Sequence, residues 1–358
     1  MNTRFLYRFA VLLFVSSFIL SACRQGVRQN PAEGQSPTEM VSAPTAAPTQ
    51  IPEPSPTSPP EALTFQAGRN DYTVNVDGYP REFIVYVPAA YDASQPAPLV
   101  FMFHGTNQGG PLMYENTRWV QEADANNIIV VFPTSWRYPL IGETGLHTKW
   151  NDIRLESLAE PGTEFRDDVH FVRVMLDLTQ AAFNVDAQHI YATGFSNGGS
   201  FVSSRLIPQM YDVFAAFGIC GSGISAANGD VVTNFPEGMT ASLYAIVGTN
   251  DEKISEATGL PRPFPLDPAG ILAHEIFGPT LTNTAGMLSL DPSQYRLIGN
   301  DPDYTIFLFN QSTLGANNEY IFQMVDGMGH VYPSVDNNRH QLNAAHIFWE
   351  FFMRHPMQ

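Results

Sequence analysis

The fold of this chain can be worked out from one stretch of sequence, IYATGFSNGGSFV at residues 190–202. Its first four residues form an apolar run typical of a strand, and Phe201, Val202 and Leu206 recur with the period of a helix. Between them lies a G-x-S-x-G pattern centred on Ser196, which arises by chance in about one chain in ten of this length. The flanking strand and helix make it informative, because they predict a tight turn that lifts the Ser196 hydroxyl clear of a sheet.

Further strands are predicted on both sides of this stretch. Most are continuous apolar runs, which favours strands buried on both faces, as in a parallel sheet covered by helices. Asp77-Gly78, between the first two strands, is a hairpin turn signal. The predicted strands are 72–76, 83–87, 99–103, 128–132, 190–193, 214–219, 243–247, 304–309 and 320–325.

Helical patterns alternate with these strands. They cover 114–125, a segment beginning near Asp168, the segment after Ser196, and 339–353. This alternation predicts one α/β domain with a mostly parallel central sheet of about eight to nine strands and helices on both faces. Residues 252–300 show no clear period, and we interpret them as an insertion at the rim of the active site.

The first part of the chain is predicted to be a targeting signal and a tether. Arg4 and Arg8 precede an apolar run of 12 residues, which is too short to span a bilayer and is typical of a signal peptide. LSAC, ending at Cys23, is similar to a bacterial lipobox and predicts lipidation of Cys23 in the extracytoplasmic cell envelope; a plain secretory signal is the alternative. The predicted division is a lipoprotein signal peptide at 1–22, a lipid-anchored Pro/Ser/Thr-rich linker at 23–61 and a catalytic domain at 62–358.

Composition excludes several classes of protein. The 358 residues are 44% hydrophobic and 15% charged, so the chain can bury a core and is not disordered as a whole. A net charge of −17 repels phosphate backbones, which argues against nucleic-acid binding. Two cysteines exclude a disulfide-rich scaffold, and the nine histidines show no metal-ligand spacing. We expect a monomer without metal or organic cofactor, attached to the membrane through its lipid anchor only.

Two residues complete a candidate catalytic set with Ser196. His330 follows the last predicted strand, and Asp251 follows the strand at 243–247. The order Ser, Asp, His, with the last two in loops at strand ends, is the order of α/β-hydrolases. Asp326, four residues before His330, is an alternative acid.

The Gly-rich loop after the strand at 99–103 predicts an oxyanion hole. It runs HGTNQGG from His104. An ester-cleaving site needs two backbone N–H groups aimed at the developing oxyanion. We expect one from Thr106 in this loop and one from Asn197 after the serine. His104 is interpreted as structural, because His330 is the better candidate for the base.

Three aromatic residues are candidates for the substrate pocket. Trp136, Trp150 and Tyr332 could line an acyl or aromatic pocket, with plain core packing as the alternative for each. The pair Asp167-Asp168 is interpreted as favourable negative charge at a helix N-terminus rather than as a cation site. Cys220, inside an apolar run, is expected to be a buried structural thiol.

Taken together, these motifs resemble the polyhydroxybutyrate depolymerase and feruloyl/acetylxylan esterase group of α/β-hydrolases, in a bacterial lipoprotein form. The matching pieces include His104-Gly105, Asp167-Asp168, SNGG at 196–199, GTND at 248–251 and Gly329-His330. The resemblance implies ester hydrolysis with Ser196, Asp251 and His330 as the triad. The sequence departs from the group at Thr106, where many relatives have cysteine, and at Tyr332, where many have tryptophan.

The predicted reaction is hydrolysis of an extracellular carboxylic ester through an acyl-enzyme. The resemblance implies either a polyhydroxybutyrate-type polyester or a feruloyl or acetyl ester of plant polysaccharide. Two alternatives remain at this point: a serine peptidase on the same fold, and a non-catalytic surface lipoprotein that binds a glycan. The complete Ser-His-Asp set argues against the non-catalytic protein.

Overall fold

The computed structural model of the protein describes residues 64–223 and 235–357. The predicted signal peptide, Cys23 and the linker lie outside these residues, so those expectations stay predictions. Within the described ranges, no helix is both long and apolar enough to cross a membrane.

A single ten-stranded sheet forms the centre of the structure. Its strands, in chain order, are β1 (Gly68–Val76), β2 (Tyr79–Val87), β3 (Ala97–Phe103), β4 (Ile129–Pro133), β7 (Val185–Phe195), β8 (Ala216–Cys220), β9 (Ser242–Gly248), β10 (Tyr295–Asn300), β11 (Tyr304–Phe309) and β12 (Tyr320–Val325). Their order across the sheet is β1-β2-β4-β3-β7-β8-β9-β12-β11-β10. The six strands from β4 to β12 in that order are parallel, and the outer strands pair antiparallel. A separate short hairpin pairs β5 (Arg137–Tyr138) with β6 (His147–Thr148).

Helices connect the strands. They are α1 (Gly110–Asn116), α2 (Trp119–Asn126), α3 (Leu155–Leu158), α4 (Asp168–Ala182), α5 (Asn197–Phe201), α6 (Ile207–Met210), α7 (Glu252–Thr258), α8 (Pro268–Ala273), α9 (Phe277–Met287) and α10 (Ala344–Phe352). A π-helical turn at Val202–Leu206 joins α5 to α6, so this segment is one continuous helical rod behind Ser196.

The two faces of the sheet bury two separate cores. In β3, Leu99, Phe101 and Phe103 face one core, while Val100 and Met102 face the other. Helices α4, α5 and α9 cover the first face, and α1, α2 and α10 cover the second. The prediction of a mostly parallel sheet with helices on both faces is therefore confirmed. It explains why the strand sequences are apolar at every position.

The expected elements differ from the structure at three places. Each of the nine predicted strands overlaps a strand of the main sheet, with 128–132 and 214–219 beginning one and two residues too early. The tenth strand, β10, is not predicted, because it is an exposed edge strand with a bulge. The single helix expected at 114–125 is two helices, since Arg118 between them has a left-handed backbone (φ 66°). The last helix begins at Ala344 rather than at 339. The segment 252–300 contains α7, α8, α9 and β10.

One buried ion pair ties α4 to the sheet. Arg81 in β2 donates to the Asp168 carboxylate over 2.6 Å, and both side chains are almost fully buried. The second Asp168 oxygen accepts the backbone N–H of Asn151 at 2.7 Å. The neighbouring Asp167 caps α4 by accepting the N–H of His170. The acidic pair thus belongs to the helix N-terminus, as the sequence suggests.

Asp168→Asn should lower the free energy of unfolding by about 3–5 kcal/mol, because it leaves the Arg81 guanidinium buried without a counter-charge. The matched control is Asp167→Asn, which keeps the helix cap and should cost less than about 1 kcal/mol. Urea unfolding of both variants measures the difference. Equal midpoints would show that the buried pair does not hold α4 in place.

Candidate active site

Ser196 sits at the turn between β7 and α5 in a strained backbone conformation. Its φ is 53° and its ψ is −119°, a combination that non-glycine residues rarely adopt. Two glycines permit the turn. A Cβ on Gly194 would lie 2.5 Å from the carbonyl group of Gly198, and one on Gly198 would lie 2.4 Å from the carbonyl oxygen of Phe103. The turn therefore presses against the end of β3 and places the serine between two strand ends.

His330 bridges Ser196 and Asp251. Its Nε2 lies 2.8 Å from Ser196 Oγ, and its Nδ1 lies 2.8 Å and 3.0 Å from the two Asp251 carboxylate oxygens. An acceptor on Nδ1 fixes the proton there and leaves Nε2 free to accept the hydroxyl proton. The three residues that the sequence singles out are therefore in one hydrogen-bonded line.

Asp251 is held rigidly. Its side chain is fully buried, and Oδ1 also accepts the backbone N–H groups of Lys253 and Ile254 at the start of α7. The end of β9 and the loop after β12 meet so closely that a Cβ on Gly248 would lie 1.9 Å from the carbonyl oxygen of Met328. The alternative acid, Asp326, pairs with Arg339 instead of His330.

Glu252 is a site residue that the sequence analysis missed. Its carboxylate accepts the backbone N–H of His330 at 3.1 Å. Burial acts to raise the pKa of Glu252, but hydrogen bonds from its own backbone N–H and from that of His330 outweigh burial and hold the pKa below its usual range. Together with the ring of Phe195, whose centroid is 4.9 Å from that of His330, this contact fixes the histidine loop. Only its position next to Asp251 could have pointed to Glu252.

The two residues expected to supply the oxyanion hole, Thr106 and Asn197, lie close to Ser196. Among the described residues, the amides of Thr106 and Asn197 donate to no group. The loop carrying Thr106 touches the serine, since a Cβ on Gly105 would lie 3.2 Å from Ser196 Cβ. The Asn197 side chain accepts the backbone N–H of Trp150 at 2.7 Å, which fixes the start of α5. An oxyanion could be held between these two amides.

His104 lies beneath this loop. It is fully buried, and burial lowers its pKa to about 4, so the ring is neutral at physiological pH. Its Nε2 accepts the backbone N–H of Ser135 at 2.9 Å, which places the proton on Nδ1, 2.7 Å from the Gly105 carbonyl oxygen. Both ring nitrogens are used to shape the loop, in agreement with the structural interpretation.

Two of the three aromatic candidates do not line a pocket. Trp150 is fully buried, donates its indole N–H to the His104 carbonyl and stacks on Phe201. Tyr332 is 6% exposed, and its hydroxyl accepts the indole N–H of Trp119. For these two residues the pocket prediction is wrong, because both complete the core beneath the site. Trp136 is half-buried and helps to line a surface cavity of about 330 Å³ beside β4.

No metal site is apparent in residues 64–223 and 235–357, where no group of three or more His, Cys, Asp or Glu side chains is arranged to hold an ion. Cys220 is buried as a free thiol, and burial raises its pKa well above the usual value. It therefore packs as a core residue and has no thiolate character.

Comparison with known proteins gives distant matches to esterases, and no family model matches the chain. The chain is 29% identical over 190 residues to the bifunctional acetylxylan esterase/xylanase XynS20E of Neocallimastix patriciarum, covering 52% of this chain and 23% of that protein. It is 26% identical over 200 residues to feruloyl esterase D of Neurospora crassa, covering 53% and 61% respectively. The chain thus spans less than two thirds of the length of these curated relatives.

The fold is shared with a solved esterase. An acetyl xylan esterase from Aspergillus awamori matches with a TM-score of 0.51 and 16% identity, covering 79% of this chain and 99% of that one. A likeness at this identity concerns the fold alone. Together with the sheet order and the helices on both faces, it confirms the predicted α/β-hydrolase fold, with ten strands rather than eight or nine.

Gly198→Ala should abolish the native arrangement around Ser196, because the new methyl group would overlap the backbone carbonyl of Phe103, which cannot move aside. The matched control is Gly286→Ala in α9, where a Cβ meets nothing within 4 Å and the helix should gain about 0.5–1 kcal/mol. Thermal unfolding followed by circular dichroism compares the two. A Gly198→Ala protein as stable as the control would contradict the close approach of the turn to β3.

Proposed function

We propose that the protein is a serine carboxylic-ester hydrolase. The observation that carries the proposal is the hydrogen-bonded line from Ser196 Oγ through His330 to the buried Asp251 carboxylate. Beside it, the backbone N–H groups of Thr106 and Asn197 have no acceptor among the residues that the structure describes. The strained serine and the fixed histidine tautomer support the same chemistry. The curated relatives named above are themselves esterases.

The proposed reaction has two displacement steps. His330 Nε2 takes the proton of Ser196 as its oxygen attacks the acyl carbon, and the N–H groups of Thr106 and Asn197 hold the resulting oxyanion. His330 then gives the proton to the alcohol oxygen, whose bond to the acyl carbon breaks. A water molecule, deprotonated by the same histidine, attacks the acyl-enzyme, and the acid leaves as the proton returns to Ser196. Asp251 keeps the imidazole oriented and stabilises its charged form.

The acyl group is proposed to be small. The names of the relatives point to acetyl or feruloyl esters of xylan-like polysaccharide. A feruloyl ring needs a flat aromatic surface, but Trp150 and Tyr332 are buried in the core and present none. This favours acetyl esters over feruloyl esters. A polyhydroxybutyrate-type polyester is a less favoured candidate, since the name of neither relative refers to one.

We propose, from the sequence alone, that the enzyme works outside the cytoplasm. The support is the lipobox-like stretch ending at Cys23 and the proline-rich segment at 23–61, both outside the described residues. Lipid on Cys23 would attach the catalytic domain to the bacterial envelope. Its substrate would then be an extracellular polymer, which the enzyme binds at the cell surface.

Ser196→Ala should lower kcat for 4-nitrophenyl acetate by roughly 10⁶-fold, and Asp251→Asn by about 10⁴-fold. The second loss has a matched control. Asp326→Asn removes the alternative acid four residues before His330 and should stay within about threefold of wild type, because Asp326 pairs with Arg339. Steady-state kinetics of the purified variants measure these ratios. If Asp326→Asn were the more damaging change, the acid would be misassigned.

The acyl preference is tested by comparing two esters that share the 4-nitrophenol leaving group and differ in the acid. We expect kcat/KM for 4-nitrophenyl acetate to exceed that for 4-nitrophenyl ferulate by about tenfold or more, since neither Trp150 nor Tyr332 offers an aromatic face to the larger acid. Release of acetate from acetylated xylan checks the polymer. Faster cleavage of the ferulate would refute the small-acyl proposal while leaving the esterase mechanism intact.

A further inference from the structure

A buried lysine lies beside the candidate oxyanion hole. The sequence has two lysines among 18 basic residues. Lys253 is exposed and pairs with Glu256, as surface lysines usually do. Lys149, directly after β6, is 6% exposed. Burial of a lysine ammonium is unfavourable unless other groups compensate for the lost water. The groups around Lys149 therefore indicate which role the buried charge has.

The contacts of Lys149 connect it to both N–H groups proposed to hold the oxyanion. Its Nζ donates to Thr106 Oγ1 at 3.4 Å. The backbone of the next residue, Trp150, makes two hydrogen bonds with the side chain of Asn197. The Trp150 N–H donates to Asn197 Oδ1 at 2.7 Å, and Asn197 Nδ2 donates to the Trp150 carbonyl at 3.3 Å. The backbone N–H of Lys149 donates to the Trp136 carbonyl at 3.0 Å. The lysine is thus fixed at its base and reaches the oxyanion loop with its charged end.

The Lys149 ammonium has three N–H donors and uses one of them among the described residues. Within the part of the chain that the structure describes, the lysine that forms an ion pair is Lys253, and the single hydrogen bond of the Lys149 ammonium is the long one to Thr106. The charged groups facing it more distantly are Asp152 and Arg154 in the following loop and Glu143 before β6. His147 in β6 faces Glu143. Packing alone requires the apolar stem of a lysine and not its charge.

We propose that Lys149 is a positioning residue for the oxyanion hole, which holds Thr106 in place and supplies positive charge next to the developing oxyanion while it is protonated. The inference rests on the proposed esterase function. An oxyanion hole works by charge that is oriented before the reaction, in a site with little water. Positive charge close to the hole strengthens it without touching the substrate, and this benefit ends when the lysine loses its proton.

The proposal predicts a dependence on alkaline pH. Burial lowers the pKa of Lys149; Asp152 and Glu143 oppose this effect, and Arg154 adds to it. Because the charged form is the useful one, activity should be complete below this pKa and fall as pH rises through it. The fall should come at lower pH than an exposed lysine, with its pKa of about 10.4, would produce.

The test compares Lys149→Met with Lys149→Arg. Lys149→Met has similar length and no charge, so kcat for 4-nitrophenyl acetate should fall about tenfold, less than the 10²–10³-fold of a lost direct donor, and the alkaline limb of kcat/KM should disappear. Lys149→Arg should restore most of the rate and move the limb to higher pH, because guanidinium keeps its proton. A purely structural role would change stability but would leave the alkaline limb at the wild-type pH in both variants.

A direct titration supports the kinetics. Lys253→Arg leaves Lys149 as the one lysine, so carbon-13-labelled lysine gives a single side-chain signal whose shift with pH reports its pKa. A value matching the kinetic limb supports the proposal. If the wild type is active and Lys149→Met keeps the same alkaline limb of kcat/KM, the Lys149 proposal is overturned and the esterase function stands. A wild type that cleaves no ester and whose Ser196 resists a fluorophosphonate would overturn the proposed function, and this inference with it.

Discussion

The structure around the site depends on how closely the turn at Ser196 approaches the end of β3. Gly198 packs directly against the Phe103 carbonyl. A side chain at position 198 would overlap this carbonyl, so only glycine allows the approach. This contact fixes the start of α5 relative to the loop that begins at His104. Backbone packing therefore brings Ser196 and Asn197 next to the loop that carries Thr106.

A second set of contacts makes that arrangement rigid. The Trp150 indole bonds to the His104 carbonyl below the oxyanion loop, and the Trp150 backbone is held by Asn197 at the start of α5. Asn151 then continues to the buried Asp168, and so to Arg81 in β2. A buried tryptophan thus connects the two halves of the candidate oxyanion hole with β2, two strands away from β3 in the sheet. Its value to the site lies in this connection and requires no contact with substrate.

Much of this arrangement could be predicted from the sequence, because it follows from local patterns. Apolar runs gave the strands, and the glycines around Ser196 gave the turn. Positions after strands pointed to Asp251 and His330 as side chains that meet at one edge of the sheet. What could not be predicted depends on distant packing. Nothing local in Thr148-Lys149-Trp150 says that the lysine is buried or that the tryptophan belongs to the core. The edge strand β10 has no buried face, so its sequence has no hydrophobic pattern from which a strand could be predicted.

The backbone of Ser196 has a consequence for how this protein can change over time. A residue with φ of 53° and ψ of −119° is strained, and glycine at the same position would relax it, since glycine has no Cβ to clash. Relief of such strain is worth on the order of 1–3 kcal/mol. The protein would therefore be more stable without the side chain on which the proposed chemistry depends. Selection for stability alone would remove this serine, so its presence in so unfavourable a conformation is itself a sign that the hydroxyl is in use.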